Sequence, residues 1–156
     1  MSPNDRSRSS FRQSRGPDRS GGGPGITPAP PVIFYQDPEK KKLNPELLDS
    51  IAETQADKIH KNINSAQLRR FFGEVKGLYN RLEHQEPFER LFPLVKMIKS
   101  KVWYAANPNK EKIPKDFADF LLGGIDQVKD EEDFRAFVMY FEAVVGFMYG
   151  KGLVSK

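Results

Sequence analysis

Between Leu68 and Leu82 apolar side chains return every three or four residues, at Leu68, Phe71, Phe72, Val75, Leu78, Tyr79 and Leu82. That spacing follows the 3.6-residue turn of an α-helix, so it commits this stretch to a helix with one buried face. Asn64 and Gln67 stand three residues apart just before it, the pair that closes a capping box. The same period runs through the rest of the chain from Leu43 onward. Asn44, Pro45 and Glu46 read as N-cap, first-turn proline and first-turn acid of an earlier helix, whose face is Leu47, Leu48, Ile51, Ala52 and Ile59. A third helix is expected from about Pro93, with Leu94, Val95, Ile98, Val102 and Ala105 inward and a stop at Asn107-Pro108. A fourth begins near Asp116 and carries Phe117, Phe120, Leu121, Ile125 and Val128. The acids Asp130 to Asp133 suit the start of a fifth, which presents Phe134, Phe137, Val138, Phe141, Val144, Val145 and Met148 before Gly150. No stretch alternates with period two. The fold class is all-α: a compact bundle of about five amphipathic helices, whose 12 Phe can close one core.

The first 31 residues are built differently. Ser, Pro and Gly fill 17 of those 31 positions, too little apolar surface to offset the entropy of ordering. Residues 1–36 are therefore expected to form a disordered Arg/Ser/Gly/Pro-rich tail and 37–156 the helical domain. Arg6, Arg8, Arg12, Arg15 and Arg19 against Asp5 and Asp18 give the tail +3, out of +4 for the whole chain. Such a tail attracts phosphates without regard to sequence, or is a solvated leader with no partner. The apolar run Val32-Ile33-Phe34-Tyr35 that closes it is expected to dock on the domain or on a neighbour.

Chemistry is scarce. With no cysteine in the chain, disulfides, thiolate zinc sites and cysteine nucleophiles are excluded. No apolar run approaches the roughly 18–20 residues that span a bilayer, and no h-region marks a secretory signal, so a soluble cytoplasmic protein is expected. His60 and His84 read as exposed surface residues, and Glu83-His84-Gln85-Glu86 matches no metal spacing. Walker A and G-x-G-x-x-G patterns are absent, and Asp130 to Asp133 point different ways around one helical turn. No enzyme, cofactor or metal is expected.

Two basic stripes remain. With Leu68 as zero and about 100° per residue, the apolar arc of the second helix runs from about 280° to 40°. Arg69, Lys76 and Asn80 gather beside Gly73 on one flank, and Arg70, Gly77 and Arg81 on the far side. Glycines there cost helix stability, which a close-approaching phosphate backbone, a neighbouring helix or simple drift would explain. On the third helix Lys96, Lys99 and Trp103 fall together off the apolar face, while Lys101 edges toward the core side. Cations interleaved with rings suit an RNA contact, and a solvated face accounts for any single lysine equally well.

Over about residues 62–151 the chain resembles the Csm-type small subunit of type III-A CRISPR effector complexes. The resemblance rests on Ser65-Ala66-Gln67-Leu68-Arg69 through Val75 and Leu78-Tyr79, on Ile98-Lys99-Ser100-Lys101-Val102-Trp103-Tyr104, and on Tyr140-Phe141-Glu142-Ala143-Val144-Val145. It departs where the family's Gly-Arg pair is replaced by Asn107-Pro108, so that the arginine's role is either lost or moved to Lys110 or Lys112. The resemblance implies a non-catalytic RNA-binding subunit of an antiviral ribonucleoprotein. Several copies would stack along the guide RNA–target RNA duplex, beside backbone subunits and the large polymerase-like subunit. Arg69, Lys99 and Lys101 become the leading RNA contacts, with Arg70, Lys76 and Lys96 beside them; Tyr104 and Glu142 are read as structural. Two rivals stand against this: a stand-alone helical protein–protein adaptor using exposed aromatics such as Trp103, and a small metal-dependent nuclease built on His60, His84 and the acids.

Overall fold

The structure, a computed structural model, describes residues 25–109 and 112–154. Five α-helices follow a short 3-10 turn at Pro45–Leu48: α1 (Ser50–Ile59), α2 (Ser65–Glu83), α3 (Phe88–Ala105), α4 (Lys115–Gln127) and α5 (Glu131–Gly150). The only β pairing among the described residues is an isolated antiparallel bridge between Tyr35 and Leu43. Helix α5 lies at the centre, against α1, α2, α4 and the 3-10 turn, and α3 packs across α2 and α4. Phe141 of α5 holds the core together, with its ring 5.1 Å from that of Phe72, 5.4 Å from Phe120, 6.0 Å from Phe137 and 6.2 Å from Phe117.

The local signals act as the residue types demand. The Asn64 side chain accepts from the Gln67 amide at 2.9 Å and the Gln67 side chain accepts from the Asn64 amide at 3.0 Å, closing the capping box of α2. At α5 the Asp130 carboxylate accepts from the Asp133 amide at 2.9 Å. Asn44 caps Pro45–Leu48 as expected, but the helix there is broken at Asp49. Leu47 and Ala52 are five residues apart, about 140° out of phase on a continuous helix. Breaking the helix between them lets both be buried.

Helix α3 starts five residues before Pro93, at Phe88. The reason is that Phe88, Leu91 and Phe92 continue the inward face of Val95, Ile98 and Val102 backwards. Phe88 meets Phe92 at 5.4 Å and Phe134 at 6.0 Å, which offsets the one hydrogen bond an interior proline removes.

Helix α4 is buried nearly all round, from Phe117 to Ile125, as a helix enclosed by neighbours must be. One side is covered by the stretch 26–36, which composition assigned to the tail. The Thr27 amide donates to the Asp119 carboxylate at 2.9 Å, and the Ala29 amide to the Asp119 carbonyl at 2.9 Å. Val32 exchanges two hydrogen bonds with the Gln127 side chain, at 3.0 and 2.7 Å. Phe34 is buried and the Tyr35 hydroxyl donates to the Glu132 carbonyl at 2.5 Å. Val32 to Tyr35 thus dock on the chain's own bundle, and ordered contact begins well before residue 37. Composition hides this because the docking uses backbone amides and one amide side chain more than apolar bulk. The arginines of residues 1–24 lie outside the described residues.

Candidate nucleic-acid interface

The six cations singled out by spacing lie on two helices, and the fold gives each different neighbours. Lys101 reaches from α3 to Glu74 of α2 at 2.8 Å. Lys99 turns the other way and pairs with Asp126 of α4. Lys96, one turn earlier on the same side as Lys99, donates to the Ile125 carbonyl at 2.8 Å, beside the Val128 amide that caps α4 on the same oxygen. Burial, and after it the charge of Lys129, holds the Lys96 ammonium below the usual lysine value. Lys76 lies 3.7 Å from Glu142 of α5 and 5.0 Å from the centre of the Tyr79 ring. The four lysines therefore have carboxylate or carbonyl partners on a neighbouring helix, and Lys96 and Lys99 face away from Lys101.

Arg69 and Arg70 are different. Both are exposed on α2 and neither has a carboxylate partner among the described residues. Arg69 lies against the hydroxyl of Tyr149, which also meets the Ser65 hydroxyl at 2.7 Å. Ser65 first, and Arg69 after it, hold the Tyr149 phenol below its ordinary value against the opposing effect of burial. The Arg70 guanidinium sits 5.6 Å from the centre of the Phe71 ring. It lines a cleft with Gln67, Phe71, Lys112 and Ile113.

Lys112 comes from the link between α3 and α4. Its amide donates to the Ala105 carbonyl at 2.8 Å, and buried Ile113 pins the next position. Its ammonium stands 5.5 Å from the centre of the Tyr104 ring. The cleft thus brings together a guanidinium and an ammonium, with an exposed phenol ring beside the ammonium and no carboxylate among the described residues that line it. Guanidinium forks bind phosphate oxygens two at a time, and ring faces take a base or sugar. Lys112 carries no helical phase, so spacing gives it no place, and only the family resemblance points to it, as a candidate substitute for the family's arginine; Lys110 lies outside the described residues.

The two α2 glycines lie open, with no atom within 4 Å of where a Cβ would sit on either Gly73 or Gly77. They floor a groove between α2 and α3, edged by Arg81, Leu94, Met97 and Lys101. Arg81 is tied to Glu86 at 2.6 Å. Met97 is 48% exposed and Tyr104, seven residues on along the same side of α3, 52%; Trp103, on the side of Lys96 and Lys99, is 41% exposed. His60 and His84 end α1 and α2, and the His84 ring meets the Asn80 carbonyl at 2.7 Å. Among the described residues no three of His, Asp and Glu gather as a metal-ligating group. Asp130 and Asp133 instead hold Lys40, at 2.5 and 3.0 Å. No described helix is long and apolar enough to cross a membrane.

The family model for Csm2, type III-A, matches residues 42–151, from the bridge before the 3-10 turn to the end of α5. The chain belongs to the Csm2 family. Membership makes it a small subunit of a type III-A CRISPR complex, and the three stretches that carried the resemblance fall on α2, α3 and α5. Comparison with curated proteins and with solved structures gives no match. The Csm2 match reaches 20 residues further toward the N-terminus than the resemblance at 62, taking in α1. It leaves out the whole of the segment 26–36 that covers α4.

Proposed function

We propose that this Csm2 chain is a non-catalytic, RNA-binding subunit that stands in several copies along the guide RNA–target RNA duplex. Backbone subunits and the large polymerase-like subunit are its neighbours, the setting is the cytoplasm, and the role is antiviral defence. The observation that carries the reading is the exposed pair Arg69 and Arg70, which have no carboxylate partner among the described residues, with Lys112 across the cleft from Arg70. Guide pairing supplies sequence recognition, so each copy needs only to meet backbone charge and shape. Three cations give each copy a salt slope of about 2–3, weak alone and multiplied by repetition along one RNA. Lys76, Lys96, Lys99 and Lys101 join such a contact by exchanging their present oxygen partners for phosphate. The open Gly73–Gly77 groove admits the close approach of a backbone or a helix of the next copy.

The exposed Met97, Trp103 and Tyr104 favour a second reading, a helical adaptor that binds protein and no RNA. Native mass spectrometry of the tagged protein, recovered from its host at low salt, separates the two. Several copies with larger subunits and one short RNA of uniform length support the first reading, and Arg69→Glu with Arg70→Glu then lowers RNA occupancy while helicity stays unchanged. A particle made only of protein overturns it in favour of the adaptor.

A further inference from the structure

Residues 26–36 form a strap that runs along α4 in the same direction as the helix. Thr27 and Ala29 are bound at Asp119, in its second turn, and Val32 at Gln127, its last residue. The contact midway is close: a Cβ on Gly123 would lie 2.7 Å from the Ala29 carbonyl oxygen and 2.9 Å from its nitrogen, so glycine is what lets the strap lie flat. Strap and helix meet at Asp119. One oxygen of its carboxylate accepts from the Thr27 amide at 2.9 Å and the other holds the Lys115 ammonium at 3.1 Å, while its backbone carbonyl accepts from the Ala29 amide at 2.9 Å. The Asp119 side chain is largely buried, so water is poorly placed to stand in for either partner.

This junction lies where α4 is weakest. The helix opens after Pro114, which makes no side-chain capping bond, so its first amides lack the partner that Asn64 gives α2 and Asp130 gives α5. Buried Ile113 and Phe117 hold this turn from inside. From outside, Asp119 ties Lys115, the first residue of the helix, to the strap, and Ile26 packs on the core along a cleft it shares with Ile113 and Pro114. Lys112 comes three residues before Lys115. Its amide and that of Ile113 share the Ala105 carbonyl, at 2.8 and 3.3 Å. A first turn that frays takes this pair of bonds with it, and Lys112 then leaves its place across the cleft from Arg70.

We infer that the strap braces the Arg70–Lys112 cleft, with Asp119 and Ile26 as positioning residues that keep Lys112 across from Arg70, so that both cations meet one phosphate backbone. This rests on the RNA-binding reading above and adds to it the element that sets the geometry of the cleft. None of residues 26–36 is charged, so the strap brings no ion pair of its own to phosphate. It supplies a fixed spacing, and cations already in place lose less freedom on binding. The strap lies outside the Csm2 match, whereas Arg70, Lys112 and Asp119 lie within it.

The test lifts the strap in the full chain in two ways. Asp119→Ala removes the acceptor of the Thr27 amide and the partner of Lys115. Gly123→Ala sets a Cβ against the Ala29 backbone, changes no charge and brings in a better helix former, so it serves even where Asp119→Ala lowers helicity. Amide exchange followed by NMR runs about tenfold faster at Lys112 and Ile113 in either variant, while amides in the middle of α2 keep their native rates. Binding of a fluorescein-labelled, mixed-sequence single-stranded RNA of about 20 nucleotides, followed by anisotropy, weakens several-fold in both. Asp119→Ala removes a negative charge, which alone tightens binding, so weakening there runs against the electrostatic effect. Asp119→Asn keeps an oxygen for the Thr27 amide and restores most of the affinity. In a Lys112→Gln background neither strap variant costs anything further, since the strap acts through Lys112. An equal loss with and without Lys112 is general loosening and overturns the inference, as do native exchange rates at Lys112 and Ile113 in both variants. Faster exchange with no RNA binding by the native chain at low salt overturns it through the reading it rests on, which recovery of RNA in the host particle tests separately.

Discussion

Lys40→Met removes a charge from the joint between the N-terminal segment and α5 while keeping most of the side-chain length. Lys40 holds Asp130 at 2.5 Å and Asp133 at 3.0 Å, and its backbone lies in the left-handed region at φ 58°, a strain that Met inherits unchanged. The two carboxylates differ in what they lose. The Asp130 side chain is 49% exposed and water replaces the ammonium at little cost, whereas that of Asp133 is 9% exposed and keeps only its bond from the Lys129 amide, at 3.0 Å. Taking a charged hydrogen bond from one largely buried carboxylate costs about 2 kcal/mol at neutral pH, most of it from Asp133. Burial opposes the Asp130 charge, but the hydrogen bonds from Lys40 and from the Asp133 amide hold its carboxyl below the ordinary 3.8. A depressed carboxyl contributes fully above its unfolded value, and the contribution is lost as pH falls through the folded value. The bond to Asp130, ahead of the opposing burial, raises Lys40 above 10.5, so its contribution is full below that value and fades as pH rises through the folded one. Tyr35, pushed up to about 12 by burial and then by Glu132, stays protonated across this window and keeps its bond to the Glu132 carbonyl. Urea unfolding followed by far-UV circular dichroism should put the midpoint of Lys40→Met about 1 M below the native chain at pH 7, with the Asp130 share of the gap lost as pH falls below 3.8. A gap of the same size at pH 3 would show that the Lys40 stem, and not its charge, closes the joint.

Other substitutions separate packing from contact. Gly124→Ala drives a Cβ into the Phe137 ring and should cost about 1–3 kcal/mol, whereas Gly73→Ala and Gly77→Ala meet nothing and should each stabilise by up to about 1 kcal/mol in thermal melts. If the groove takes a backbone, those stabilised variants assemble less well, which co-purification with the complex measures. Phe141→Ala removes a fully buried ring with four aromatic neighbours and should cost about 3–5 kcal/mol by denaturant titration. Lys99→Gln, which strands only a half-exposed Asp126, should change stability by less than about 1 kcal/mol, so any loss of RNA crosslinking in the complex reports contact directly.

What the sequence shows well is whatever a single helix decides. The capping box at Asn64 and Gln67, the acids opening α5 and the apolar face of α2 need only local spacing, and they appear where spacing puts them. Misplaced features depend on a distant partner. Pro93 looks like a first turn until Phe134 gives Phe88 a reason to extend α3 backwards. Asp49 looks like mid-helix until Leu47 and Ala52 must both be buried. Lys99 and Lys101 leave the apolar face as their phase requires, yet phase says nothing of Asp126 and Glu74 on the helices alongside. The strap is hidden for the same reason, since its best partners, Asp119 and Gln127, lie more than 90 residues away.

That distance sets an order of events. Synthesis delivers Thr27 to Tyr35 early, while the surface they cover is finished only when α4 and the first turn of α5 have been made. A segment made before every helix is thus among the last to settle, because closing so long a loop gains nothing until its partners exist. Until then the uncovered side of α4, with Gly123 at its middle, is a bare strip on a nascent bundle. A chain shortened to the matched core would leave that strip uncovered for good, and should prove less soluble than its helices alone would suggest.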